Sequence, residues 1–321
     1  MKNFIIVLCV ILTVGITIGI IGIIVTATRG DVSDVDKTIK TESYASGEKL
    51  SVKCFTDDVK VVVGNGDEVV FEYYEYKNHK PEITHENGVI SFRLGKKFSF
   101  FDISWIFHKN AKLTVTLPKE FNSELEIQDG TSDIDADLTS LTIEKLIFNV
   151  STGSIAVKNA KVGGDVSLTC TTGAVVACNL EINGSLHAEE STGAIELADI
   201  TATGNVEVKS TTGTVKLANV TAENITTTCT TGKTNVDVDC KALSIKSTTG
   251  ETSFKVKNAT NIKVTATTGD IDGTIGGSMW DYDIDYSVTT GKCNLPRIDK
   301  NLGKTIYIST TTGDIDVSFT D

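Results

Sequence analysis

Arginine is almost missing from this chain of 321 residues: Arg29, Arg93 and Arg297 are all it has, beside a formal net charge of -12. A sequence so short of the residue that grips phosphates is not built to hold nucleic acid. Proline is as scarce, and three prolines beside 27 glycines exclude a proline-rich or collagenous chain. The four histidines, His79, His85, His108 and His187, show no HExxH spacing, and no cysteine cluster has zinc spacing. Gly232-Lys233-Thr234 ends like a phosphate-binding loop, but Thr227 stands where its first glycine belongs. With 40% hydrophobic and 22% charged residues, the chain is nevertheless too apolar to be disordered and long enough to bury a sizeable core.

What is present begins with an uncharged apolar run over residues 4–25. At helical rise its 22 residues reach about 33 Å, enough for a hydrocarbon core of about 30 Å. The competing reading is a cleaved signal peptide, with Val25-Thr26-Ala27 as the small-residue site, but the run exceeds the usual apolar length of about 7 to 15 residues. A retained anchor is therefore expected. Positive charges flank both ends, and the two-residue tail before the run favours export of the long C-terminal part. Gly15 and Gly19 form a GxxxG pair of the kind that lets two helices approach closely.

Beyond residue 150 one phrase returns: Ser/Thr-Thr-Gly at Gly153, Gly173, Gly193, Gly213, Gly232, Gly250, Gly269, Gly291 and Gly313. A spacing near 20 residues marks a solenoid, whose units bury their apolar sides only by stacking on one another. Seven residues before each glycine stands an aliphatic residue: Leu146, Val166, Leu186, Val206, Ile225, Leu243, Ile262, Ile284 and Ile306. A second inward column stands five before (Phe148, Leu168, Ala188, Val208) and a third two after (Ile155, Val175, Ile195, Val215), so each arm has the strand period of 2. The arms predict a parallel β-helix with about 4.8 Å between coils, wound right-handed by strand twist and the crossover rule. Outward positions agree: Glu189 falls beside Lys209, Glu196 beside Lys216, and Lys233 beside Glu251, while chain order places Lys292 between Asp270 and Asp314. The glycines read as corners that a Cβ would oppose. A flat hydroxyl array for ice or sugar is disfavoured because adjacent strand residues face opposite ways. The hydroxyls are expected to pack and hydrogen-bond at the corner.

Residues 31–45 are polar and read as a stalk. From Gly47 onward, Leu50, Val52 and Cys54, then Val59, Val61 and Val63, then Ile90, Phe92 and Leu94 alternate as strands, punctuated by Gly64-Asn65-Gly66-Asp67 and Asn87-Gly88, which predicts at least one hairpin. These strands are the available cover for the solenoid's open end. The aromatic stretch 98–107 reads as part of that cover, with a membrane-interface or ligand contact as the alternative.

The order of membrane helix, β cap, aromatic segment, the strand 113–119 and tandem Gly-x-Ile-x-Val units resembles the bacterial putative-adhesin family of β-strand repeats, described mainly as a domain of unknown function. The resemblance covers roughly residues 45–321. It implies a surface-exposed bacterial solenoid and suggests adhesion, and it transfers no catalytic residues.

The expected organisation is thus all-β: a right-handed parallel β-helix over residues 121–321, an N-terminal β region and cap over 46–120, a stalk over 31–45 and a transmembrane signal-anchor over 1–30. Outside the apolar run stand Cys54, Cys170, Cys178, Cys229, Cys240 and Cys293. Cys170 and Cys229 share a column three coils apart, roughly 14 Å, too far for a disulfide, and small buried hydrophobe is the better reading for most of these cysteines. Asp270, Asp272, Asp281, Asp283, Asp285, Asp314 and Asp316 make the last coils acidic, as calcium prefers. However, the Gly-Gly-x-Gly-x-Asp repeat is absent and Lys292 should interrupt the column, so these read as charges guarding an exposed, uncapped last edge.

No catalytic, cofactor-binding or metal site and no cofactor is expected. The leading function is a non-enzymatic, membrane-anchored cell-surface adhesin or interaction scaffold: a rod of about nine coils, roughly 40 Å long, single-pass, with its β domain extracellular. Its ligand would be a surface protein or glycan, and nucleic acid is excluded. The alternatives are a membrane-stress or signalling accessory that binds another membrane protein through residues 98–107 or the helix, and, behind it, a polysaccharide-acting enzyme by fold analogy alone.

Overall fold

The structure, a computed structural model, describes residues 35–76, 80–94 and 112–320. The expected membrane helix, its Gly15/Gly19 pair, His79, His108 and the aromatic stretch 98–107 lie outside them. Among the described residues no helix is long and apolar enough to cross a membrane.

Seven strands precede the repeats: β1 (Val35–Ala45), β2 (Lys49–Cys54), β3 (Asp58–Val63), β4 (Glu68–Tyr76), β5 (Glu82–Glu86), β6 (Val89–Arg93) and β7 (Lys112–Leu117). The stack continues with β8 (Glu124–Thr131), β9 (Ile134–Ile143), β10 (Lys145–Thr152) and β11 (Ile155–Val162). Three long strands then run through the corner without a break, β12 (Val166–Ile182), β13 (Leu186–Ala202) and β14 (Asn205–Thr231), followed by β15 (Thr234–Thr249). The last are β16 (Thr252–Lys257), β17 (Asn261–Thr268), β18 (Ile271–Gly276), β19 (Asp283–Thr290), β20 (Thr305–Thr312) and β21 (Ile315–Thr320).

Each rung has two arms, and equivalent arms pair parallel and in register. Leu146 faces Val166, Leu186 and Val206 in turn, and Ile225 faces Leu243, Ile262 and Ile306. All of them are buried. The expected aliphatic columns are therefore the core of a β-solenoid of about 20 residues per coil. The corner glycines carry φ between +134° and +157°, where an L side chain is strained. A Cβ on Gly193 would also overlap the Gly173 carbonyl oxygen, and one on Gly213 that of Gly193.

Stacking order departs from chain order at both ends. At the N-terminal end β2 lies between β6 and β8, and β3 between β7 and β9, so β6 and β7 sit outside strands that precede them. The strands expected as a separate cap are thus rungs of the same stack. The real covers are antiparallel: β5 on β6, and β4 on β7 with β1 beyond it. The expected hairpin is β5–β6, with Asn87 and Gly88 both at positive φ as the tight hairpin turn requires. The stalk reading fails for residues 35–45, which are β1. Its polar character is that of an edge strand: Tyr44 and Tyr73 both donate to the Glu42 carboxylate, at 2.6 and 2.8 Å, and the Tyr44 ring meets Phe71 edge-on.

At the C-terminal end the final strand pair is inserted. β20 pairs with β17 on one side and β19 on the other, and β21 pairs with β18. The last edge is therefore not β20 and β21, as chain order suggests, but residues 283–298. Pro296 suits this outer placement, because it cannot donate to a ladder. Ile298 closes part of the β19 edge through two backbone hydrogen bonds with Ile284, at 2.8 and 3.0 Å. The Asn294 side chain closes β21, donating to the Val317 carbonyl and accepting from the Val317 amide, both at 3.0 Å.

Two consequences are measurable. Thr227, Thr234 and Thr252 are fully buried in aliphatic columns and their hydroxyls have no hydrogen-bond partner. Replacing each by near-isosteric valine should raise unfolding free energy by about 1 kcal/mol in urea titrations. Gly193→Ala should lower it by about 3 kcal/mol or more, combining backbone strain with overlap, while Thr192→Ala at the exposed neighbouring position should stay within about 0.5 kcal/mol.

Candidate functional site

The threonine corner departs from expectation. At Thr171–Thr172, Thr211–Thr212 and Thr230–Thr231 both residues are exposed, so the pair does not alternate between core and solvent. The Thr172 column continues in register through Thr192 to Thr212. These hydroxyls are not tied into the corner by side-chain hydrogen bonds, so they face solvent.

The outward charges also rearrange. Lys233 and Glu251 form the expected pair at 2.9 Å. Glu189 and Lys209 are register neighbours, as are Glu196 and Lys216, but Lys209 reaches Glu207 at 2.7 Å. His187 lies between Glu207 and Glu189, at 3.0 and 3.1 Å. Because β20 and β21 are inserted, Lys292 does not separate Asp270 from Asp314. The Asp314 amide donates to Asp270 Oδ1 and the Lys292 amide to Asp314 Oδ1, each at 2.8 Å. These aspartates are backbone acceptors between rungs. Asp272 and Asp316 line a shallow groove of about 280 Å³ with Ser253, Gly273, Thr274 and Ser318, and burial, then the charges of Glu251, Asp316 and Asp270, raise the Asp272 carboxyl above the usual range. Among the described residues no three metal-ligating side chains converge. The six cysteines are free; Cys54, Cys170, Cys229 and Cys240 are buried, Cys178 and Cys293 half-buried.

The C-terminal pole is the most distinctive surface, and nothing in the repeat pattern announces it. Trp280, Leu302 and Tyr307, three of the exposed large hydrophobics, all lie on the last rungs, with Trp280 59% exposed. Each aromatic of β19 and its entry turn carries a cation: Lys300 over Trp280 at 4.9 Å, Arg297 over Tyr286 at 4.9 Å and Lys304 over Tyr282 at 5.4 Å. Such contacts fix long cationic side chains against rings. Asp283 builds the loop that presents them, accepting from the Lys300 and Leu302 amides at 2.7 Å each. This surface can bind through aromatic faces, held cations and exposed apolar area, and it presents no nucleophile set beside a base.

The two-armed, in-register rungs with a glycine corner place the chain among known repeats. The family profile described as Toastrack DUF4097 matches residues 47–318. The chain belongs to this family. Among solved structures, it is similar to a putative adhesin from Bacteroides fragilis at 13% identity, covering 88% of this chain and 98% of the other with a TM-score of 0.35. It is similar also to a putative cell adhesion protein from Clostridium sporogenes, at 11% identity over 88% and 99% of the chains with a TM-score of 0.28. A putative adhesin from Parabacteroides merdae matches at 12% identity over 71% and 95%, with a TM-score of 0.32. No curated protein matches the sequence.

Backbone donors, above all the Lys300 amide, hold the Asp283 carboxyl below its usual range. A depressed folded value means that the loop's support is complete above the unfolded carboxylate range and lost as pH falls through the folded value. Amide exchange at Lys300 and Leu302 should consequently lose protection on acidification, and Asp283→Ala should abolish that protection at neutral pH while leaving β12–β14 protected.

Proposed function

We propose that this protein is a non-enzymatic, membrane-anchored surface solenoid that serves as an adhesin or interaction scaffold. Residues 4–25 hold it in the membrane and the right-handed rod stands outside, with the pole around Trp280, Lys300, Leu302 and Tyr307 as its contact surface. One observation carries this reading: Trp280, Leu302 and Tyr307, three of the six exposed large hydrophobics among the described residues, share the pole opposite the β1 edge, whereas Ile39, Phe55 and Val176 are scattered along the rest of the rod. About a dozen strand spacings of about 4.8 Å separate the two ends. Isolated exposed apolar residues mean little, but a rimmed cluster marks a contact site. The putative-adhesin descriptions of similar structures are in keeping with this reading.

Two experiments test it together on intact cells producing the full chain. Protease shaving should remove epitopes within residues 31–321 without lysis; protection until lysis would overturn the surface location. The double variant Trp280→Ala/Leu302→Ser should shed at the same rate yet lower cell attachment severalfold. Unchanged attachment by a correctly displayed variant would exclude the pole as the contact surface.

A further inference from the structure

The interior of the rod holds one carboxyl among its central rungs. Glu190 on β13 is 1% exposed, in the inward column between Cys170 on β12 and Ser210 on β14. Ser210 donates its hydroxyl to Glu190 Oε1, while Glu190 Oε2 has no partner. On β12 and β14 the buried residues are aliphatic except for Cys170, Ser210, Thr227 and Cys229. The titratable groups facing the interior from those strands are therefore the two thiols, and no buried lysine, arginine or histidine occurs among the described residues. A carboxylate with one hydroxyl donor and no counter-charge is strongly penalised by desolvation here.

Other members of this column donate to the backbone, while the Ser247 hydroxyl in it has no partner. Cys170 donates its thiol to the Gly153 carbonyl at 3.1 Å, and Thr310 its hydroxyl to the Gly269 carbonyl at 3.2 Å. Each points a donor at the corner glycine of the rung below. Glu190 departs from this pattern: its Oε1 takes the Ser210 hydroxyl and lies beside the Gly213 corner of the rung above, while Oε2 has no partner. A protonated carboxyl supplies an O–H donor at this position and a carboxylate supplies none.

We propose that Glu190 is a proton lock: the central rungs close around its neutral acid, and release of that proton to solvent loosens β12, β13 and β14. Burial raises the Glu190 carboxyl above its usual range, against the opposing pull of the Ser210 hydrogen bond. With the folded value raised, the lock contributes fully below the unfolded carboxylate range and is lost as pH rises through the folded value. The inference is independent of the adhesin reading.

The test compares the full chain with Glu190→Gln, whose amide keeps both a donor and an acceptor. From pH 5 to pH 9 the folded-to-unfolded ratio of the wild type should fall relative to the variant, by up to about tenfold per pH unit until Glu190 ionises. Burial also pushes Asp129 up to about 7, but that group is common to both proteins and cancels. Parallel profiles would overturn the proposal. Should the variant fail to fold, wild-type amide exchange decides: opening of residues 186–190 and 206–210 should increase with pH beyond the intrinsic exchange rate, ahead of residues 243–247. Uniform protection across these rungs would overturn it equally.

Discussion

One contact governs this rod: a Cβ on any corner glycine would overlap a backbone carbonyl oxygen of the adjoining rung, that of Ser132 for Gly153 and that of another corner glycine for Gly173 and the rest. Because every corner must repeat the same conformation, with φ between +134° and +157°, the rungs cannot slip by a residue without breaking the ladders of both arms. Register is fixed at the corner, and everything else in the structure is a consequence of equivalent side chains meeting in columns.

Columns sort polar residues by whether they can bond to their own kind. An amide is donor and acceptor at once, so Asn179 donates to Asn159 and Asn159 to Asp137, at 2.9 and 3.1 Å. Asn159, Asn179, Asp199 and Asn219 all sit at φ between +53° and +60°, where asparagine and aspartate are the tolerated residues. An ionised carboxylate cannot donate to another, so aspartates take the backbone amide of the next rung instead, as Asp133 does from Ser154 and Asp165 from Ser185. The same logic covers Asp270 and Asp314, whose acidity looks like a calcium motif in sequence but serves the backbone.

The aliphatic columns and glycine corners were legible because their repeat restates the same packing requirement at each rung. The column of Asn159, Asn179, Asp199 and Asn219 was equally periodic, yet polar residues on a surface are easily passed over. Stacking order was not legible from the columns, since a parallel rung carries no mark of which neighbour precedes it. The signals lay outside the pattern: Pro296, and corner spacing that widens from Gly269 to Gly291 and again to Gly313. β1 was missed because an edge strand exposes one side to water and so reads as a polar tether. The pole escaped for a different reason: Trp280, Lys300 and Leu302 belong to the irregular segment around the last rungs, where periodicity ends.

The two ends solve the open-edge problem in different ways, and the difference bears on function. An unpaired edge strand invites pairing with another chain, and charged residues blunt it. The N-terminal end uses that remedy, with Lys40 on β1 and Glu82 and Glu86 on β5. At the other end some of the backbone groups themselves are consumed: Asn294 mimics a strand for Val317, Ile298 bonds Ile284, and Arg297 donates to the Tyr286 carbonyl at 2.7 Å. Charge is then no longer needed to repel a partner, which frees that surface to carry aromatic and aliphatic side chains. A partner meeting it would be selected by side-chain complementarity rather than by adding a strand.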